Sequence, residues 1–316
     1  MGLAENVLVQ AILELKSSNT YRLIERYKKP LYYSLHDGSP KFKGVFLDIE
    51  STGLCIPEDK IIELGMVVLE YGADGRIFRI LEEFSEYQDP GKSIPPHIVK
   101  LTGITDLMVK NRQLGKQKVF QHLNAADMII AHYANFDRAC LEAHWPDMPI
   151  KPWGCTMSQI PWGEEGIESA KLEYLAYRYG FFYEGHRAST DCLAGVHLLS
   201  QVLPHSKERV LKTLLNASKK ITFRVWAFNA PFAKKELLKV RQYRWSADGH
   251  GKHKAWFLEL LEEQLLEELK FLWEEIYAYT ECLPVEEINA KNRFSKKATL
   301  KEHWIESLAQ GEELLQ

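Results

Sequence analysis

From Gly44 onward the chain is organised as apolar runs separated by polar breaks. Val45 to Ile49, Ile61 to Tyr71 and Ile77 to Phe84 are continuous enough to be strands, and Ala73, Asp74 and Gly75 supply a tight turn between the last two. These three runs predict an antiparallel opening. After a loop rich in proline around Pro95 and Pro96, Met128 to Ala131 reads as a buried strand and Phe136 to His144 as a helix just beyond it. A short strand over Gly154 to Ser158 follows, then helices over Ser169 to Tyr179 and Ala188 to Leu203, stopped by Gly180 and Pro204. Strand alternating with helix in this way predicts a mixed α/β sheet.

The flanks have a different texture. Residues 1–40 start with a helical pattern, Val7, Ile12, Leu13 and Leu15 then Tyr21, Leu23 and Ile24, and end in Asp37, Gly38, Ser39 and Pro40, as expected of a short N-terminal helical extension. Beyond Pro204 comes a helical link, a strand over Ile221 to Phe228, a helix over Lys234 to Val240, strand candidates around Tyr243 and Trp256, and a long helix from Glu259 to Ala278. The expected division is therefore an extension (1–40), an α/β domain (41–204) and a small α+β C-terminal domain (205–316).

Composition narrows the class without naming it. The 316 residues are 46% hydrophobic and 26% charged with a formal net charge of -3, an ordinary globular balance that excludes nucleic-acid binding through bulk positive charge. No run is apolar enough to cross a bilayer and no basic-then-apolar leader opens the chain, so a cytoplasmic location with no membrane partner is expected. Five scattered cysteines without a C-x-x-C pair read as reduced, mostly buried thiols rather than a zinc site.

Three polar clusters interrupt the pattern where strands end or helices begin. In Asp48-Ile49-Glu50-Ser51-Thr52-Gly53 the two acids are spaced i and i+2, which puts both on one face of the strand. Like charges so placed repel unless a cation neutralises them, and hard carboxylate oxygens suit Mg²⁺ or Mn²⁺; the bland alternative is an exposed strand end with solvated acids. In Ala131-His132-Tyr133-Ala134-Asn135-Phe136-Asp137, Asp137 opens a helix, where the macrodipole alone favours a carboxylate, and His132 fits a core position equally well. In His186-Arg187-Ala188-Ser189-Thr190-Asp191, Asp191 lies in a helical first turn and can point at a metal, while His186, on the preceding loop, can take a proton from water. A helix cap with a surface histidine is the competing account.

In their order, these clusters resemble the motifs of the DnaQ-like exonucleases of the DEDDh group, the family that includes the proofreading epsilon subunit of bacterial DNA polymerase III. The likeness covers about residues 44–203: an Asp-x-Glu followed by Thr-Gly, a Phe-Asp, and a His five residues before an Asp, with Arg187 where the sister group has tyrosine. Ile94-Pro95-Pro96-His97 through Thr102-Gly103-Ile104-Thr105-Asp106 is similar to the family's linking stretch, whereas Tyr133 departs from the usual His-Asn-Ala.

The resemblance implies an RNase H-like mixed five-stranded sheet flanked by helices and a 3′–5′ exonuclease using two divalent cations, Mg²⁺ or Mn²⁺. It further implies Asp48, Glu50 and Asp191 as direct metal ligands, Asp137 acting through water, His186 as general base, and substrate contacts from Thr52, Gly53, Leu54 and His132. A DNA 3′ end is the implied substrate, with RNA or short oligonucleotides as alternatives and a polymerase as a candidate partner. A non-catalytic binding module keeping the same fold is the reading from another class, against which every motif carboxylate and the histidine are intact.

Between Lys234 and Lys254 basic residues interleave with Tyr243 and Trp245. They form either a nucleic-acid surface or, with Trp226, Trp245 and Trp256 as a small core, a solvated rim.

Overall fold

The computed structural model describes residues 3–246, 254–277, 283–297 and 301–303, in two compact units, Met1–Ala217 and Ser218–Gln316. The first unit is built on a five-stranded sheet of β2 (Lys41–Ser51), β3 (Ile61–Gly72), β4 (Ile77–Tyr87), β5 (Met128–Ala131) and β6 (Trp153–Cys155), in the order β4-β3-β2-β5-β6. The apolar runs β2, β3 and β4 pair antiparallel, while β5 and β6 join parallel to β2. This is the RNase H-like mixed sheet expected from the sequence.

Both faces are covered, which is why β3 reads as an almost unbroken apolar run rather than an alternating one. On one face, Phe46, Val67 and Leu69 join a core supplied by α6 (Leu172–Arg178), α7 (Ala188–Leu199) and α8 (Val210–Lys219). Buried Val45, Leu47 and Ile49 point the other way, and α4 (Lys116–Ala125) and α5 (Ala134–His144) lie against β2. Burial of some twenty large side chains at roughly 1.5–3 kcal/mol each is the main favourable term holding this layer.

Several boundaries differ from expectation for local reasons. The proline-rich loop holds α2 (Pro96–Thr102) and α3 (Asp106–Val109), with Pro96 at the helical start where a missing N–H costs nothing. Helix α7 ends at Leu199 rather than Leu203, because Val202 forms a bridge with Arg209. Residues 156–158 turn instead of extending β6. The N-terminal segment has α1 (Leu3–Ser17) followed by a two-residue strand, β1 (Glu25–Arg26), parallel to β7 (Phe181–Phe182). Tyr27 and Tyr33 then pack on the main core, their hydroxyls 2.9 Å apart. The units divide at Ala217 rather than at Pro204, since Val210, Leu211 and Leu214 are spent on the first unit's core.

The second unit runs β8 (Thr222–Ala227), α9 (Lys235–Val240), β9 (Arg244–Ser246), β10 (Ala255–Leu260), α10 (Glu262–Phe271), β11 (Leu283–Ile288) and β12 (Lys301–His303). Its sheet order is β12-β11-β8-β10-β9, all antiparallel, so β8 to β11 form a split β-α-β arrangement. The expected helix from Glu259 starts at Glu262. Glu259 belongs to β10, where its carboxylate receives Arg224 at 3.3 Å and Arg293 at 2.5 Å. Its expected end, Ala278, lies outside the described residues, as do Asp248, Lys252 and Cys282. Trp226 is 2% exposed and Trp256 packs on the small core, whereas Trp245 is 51% exposed. Among the described residues no helix is long and apolar enough to cross a membrane, and Cys140, Cys155 and Cys192 are buried while Cys55 is exposed.

Candidate active site

Strand β2 lies at the centre of the sheet, and its carboxyl end carries Asp48 and Glu50 on the same face. The first turn of α7 brings Asp191 to that face, and one carboxylate oxygen from each of the three acids lies within 4.8 Å of the others. Asp191 is held from two sides. The Tyr183 hydroxyl donates to its Oδ1 at 3.1 Å and the Arg187 amide to its Oδ2 at 3.0 Å. Asp137, in the first turn of α5 and 2% exposed, completes a group of four acids, near enough to push Asp48 upward electrostatically.

Desolvation dominates the titration of this group, and mutual repulsion adds to it. Burial, then the charges of Asp191 and Glu63, push Glu50 up to about 7, and burial pushes Asp191 up to about 6 against the lowering hydrogen bonds from Tyr183 and Arg187. Asp48 and Asp137 are also raised, chiefly by burial. Such a cluster is poorly stable as four bare anions and well suited to a divalent cation.

These folded-state acids titrate above their unfolded values, so the metal-free protein holds extra protons and its stability is present at low pH and lost as pH rises through 6 to 7. Glu50 alone contributes on the order of 3 kcal/mol to that loss. In EDTA the thermal midpoint should fall between pH 5 and pH 8; a flat or rising midpoint would contradict the assignment. Conversely, Mn²⁺ affinity measured by calorimetry should rise roughly 10²-fold from pH 5.5 to 7.5 as the protons leave.

The loop after β2 is fixed by a residue that motif reading passed over. Asp59 accepts the Thr52 hydroxyl at 2.8 Å and the Cys55 amide at 3.0 Å, and Lys92 Nζ lies 3.3 Å from it. A Cβ on Gly53 would come within 2.3 Å of the Asp59 carboxylate, which explains glycine there. Gly53→Ala should destabilise the protein by about 1–3 kcal/mol in urea titration; an unchanged midpoint would show that the loop is not packed this way. Leu54, at the loop tip, is 78% exposed.

His186 is exposed and adopts a left-handed backbone conformation (φ 63°), unusual outside glycine and enriched at functional positions. His132 is 8% exposed, its Nδ1 lies 2.7 Å from Thr156 Oγ1, and burial lowers it to about 4. Tyr133 is half exposed and stacks against Phe136 with ring centroids 6.3 Å apart. Glu63 and Tyr183 were missed along with Asp59; the available signal for Glu63 was a single acid inside the apolar stretch Ile61 to Leu69.

The mixed five-stranded sheet thus gathers its acids at the carboxyl end of the central strand. Residues 45–199 match the family model RNase_T, described as an exonuclease. The chain is 42% identical over 187 residues to the 3′-5′ exonuclease DinG of Bacillus subtilis, covering 55% of this chain and 19% of that protein. It is 29% identical over 167 residues to DNA polymerase III subunit epsilon of Treponema pallidum, 50% of this chain and 75% of that protein. Against DNA polymerase III PolC-type of Clostridium perfringens the identity is 29% over 187 residues, 57% of this chain and 12% of that protein. The matched region thus spans less than a fifth of the PolC-type and DinG relatives.

Proposed function

We propose that this protein is a metal-dependent 3′–5′ exonuclease that removes nucleoside 5′-monophosphates from the 3′ end of DNA. The observation that carries the reading is the convergence of Asp48, Glu50 and Asp191 at one point, within the segment that matches an exonuclease family model. Three raised carboxylates with oxygens so close fit a divalent cation, Mg²⁺ or Mn²⁺, and two such ions, when bound, would supply water activation and charge neutralisation at the departing 3′ oxygen.

The chain's own groups then divide the work. Asp48, Glu50 and Asp191 would hold the cations directly, while Asp137, recessed at 2% exposure, would contribute through bound water. His186, on its exposed loop, takes the proton from the attacking water. Thr52 and Gly53 hold the terminal nucleotide and the exposed Leu54 wedges beside its base. The relatives support DNA as the substrate class, since DinG is named a 3′-5′ exonuclease and epsilon and PolC-type proteins are named for DNA polymerase III. Polymerase association in solution is the corresponding partner proposal.

Chromatography of the products tests the reaction. Incubation with a DNA oligonucleotide and Mn²⁺ should release 5′-monophosphates; 3′-monophosphates or internal fragments would contradict it. A matched RNA oligonucleotide run in parallel should be cut more slowly, and faster RNA cleavage would reassign the substrate.

A further inference from the structure

Strand register places the metal acids in two rows that run across the sheet. Glu50 on β2 is opposite Glu63 on β3, which is opposite Tyr87 on β4; Asp48 is opposite Gly65, which is opposite Ser85. Residues paired in this way share a face, so both rows lie on the side crossed by α7. Glu63 is completely buried, a carboxylate directly beside a metal acid whose charge it opposes. Such a group is costly unless its charge is matched and its oxygens are filled.

They are filled entirely by groups around the start of α7 and the neighbouring strand. Arg187 donates from Nε to Oε2 at 3.2 Å and from Nη2 to Oε1 at 3.1 Å, the Ala188 amide donates to Oε2 at 3.2 Å, and the Ser85 hydroxyl to Oε1 at 2.5 Å. Arg187 Nη2 also donates to the Tyr87 hydroxyl at 2.6 Å. Beneath this, Gly65 lets the helix start lie directly on β3: a Cβ there would be 2.3 Å from the Ala188 carbonyl carbon. The same Arg187 whose side chain grips Glu63 uses its backbone N–H to hold Asp191 Oδ2, and it follows His186 directly.

We propose that Glu63 and Arg187 are positioning residues: their two-pronged ion pair latches the start of α7 to β3 and so sets where His186 and Asp191 stand relative to Asp48 and Glu50. The latch rests on the exonuclease reading for its consequence in turnover, and on the fold alone for its geometry. The forked guanidinium matters as much as the charge, because a lysine ammonium cannot fill both carboxylate oxygens in one plane.

The test uses the full chain with Arg187→Met, Arg187→Lys and Glu63→Gln. Each is read by calorimetry with Mn²⁺, by kcat and KM on a DNA oligonucleotide, and by amide exchange along α7. For Arg187→Met and Glu63→Gln, kcat and Mn²⁺ affinity should each fall about 10-fold or more, as removal of groups that orient metal ligands typically does, with KM within about twofold. Exchange should accelerate at residues 187–191 and not at 195–199, and Arg187→Lys should fall between wild type and Arg187→Met. If either single variant fails to fold, Glu63→Met/Arg187→Met removes both charges together; it should fold and stay impaired. Wild-type kcat, Mn²⁺ affinity and exchange in the folded variants would overturn the latch, as would a uniform rise in exchange along α7. A wild-type protein that cuts no nucleic acid would sink the exonuclease reading alone, because metal affinity and exchange still decide the latch.

Discussion

Asp48→Asn should cost about 10³-fold or more in exonuclease turnover while making the metal-free protein more stable. The two effects have one origin. Asp48 is the acid most surrounded by like charge, raised by burial and then by Asp137, Asp191, Glu50 and Glu63. Replacing it with a neutral isostere relieves that repulsion in EDTA at pH 8, above the values of about 7 and about 6 to which Glu50 and Asp191 are pushed. The same change removes a ligand from the point where three carboxylate oxygens meet, so Mn²⁺ affinity falls. Urea titration in EDTA and calorimetry with Mn²⁺ read the halves separately. Lower stability together with unchanged Mn²⁺ affinity would mean that Asp48 is an ordinary buried acid.

His186→Ala should lower kcat by about 10²- to 10⁴-fold, the usual contribution of a general base, with Mn²⁺ affinity unchanged. The imidazole is exposed, and the three acids converge without it. Its loop is instead fixed by neighbours, since Arg187 and Ala188 are tied to Glu63. A variant that kept turnover within a few-fold of wild type would remove His186 from the mechanism. One that lost Mn²⁺ binding would show it to be part of the metal site. This pattern separates His186 from Arg187, whose loss is expected to weaken both turnover and metal binding.

The sheet and the acids were legible because each leaves a local trace. Apolar runs too continuous for an exposed strand announce β2 and β3, and the i, i+2 spacing of Asp48 and Glu50 by itself puts them on a shared face. Asp191, four residues into the segment that starts at Arg187, is legible as a helical first turn. His132 was not resolved by this logic, because a core histidine and a cleft histidine share one sequence context; the structure adds that it is buried with Nδ1 2.7 Å from Thr156 Oγ1. Glu63 acts through a partner 124 positions away, and no local pattern reports such a pair.

The C-terminal unit was read less well for the same reason. Leu283 to Ile288 carries a proline and two adjacent glutamates and has no strand alternation, yet it pairs with β8, where Glu286 lies opposite Arg224. Leucine spacing carried the expected helix back to Glu259, but that residue's pairing with Arg224 and Arg293 commits it to the sheet. Long-range pairing overrides local periodicity in both places.

The most direct test is stepwise shortening of a 5′-labelled DNA oligonucleotide by wild-type protein and Asp48→Asn, each in Mn²⁺ and in EDTA. A ladder growing from the 3′ end with wild-type protein and Mn²⁺, and in no other lane, is the predicted result. Full-length DNA in every lane, from protein shown to be folded and to bind Mn²⁺, would contradict the assignment of this site as an exonuclease centre.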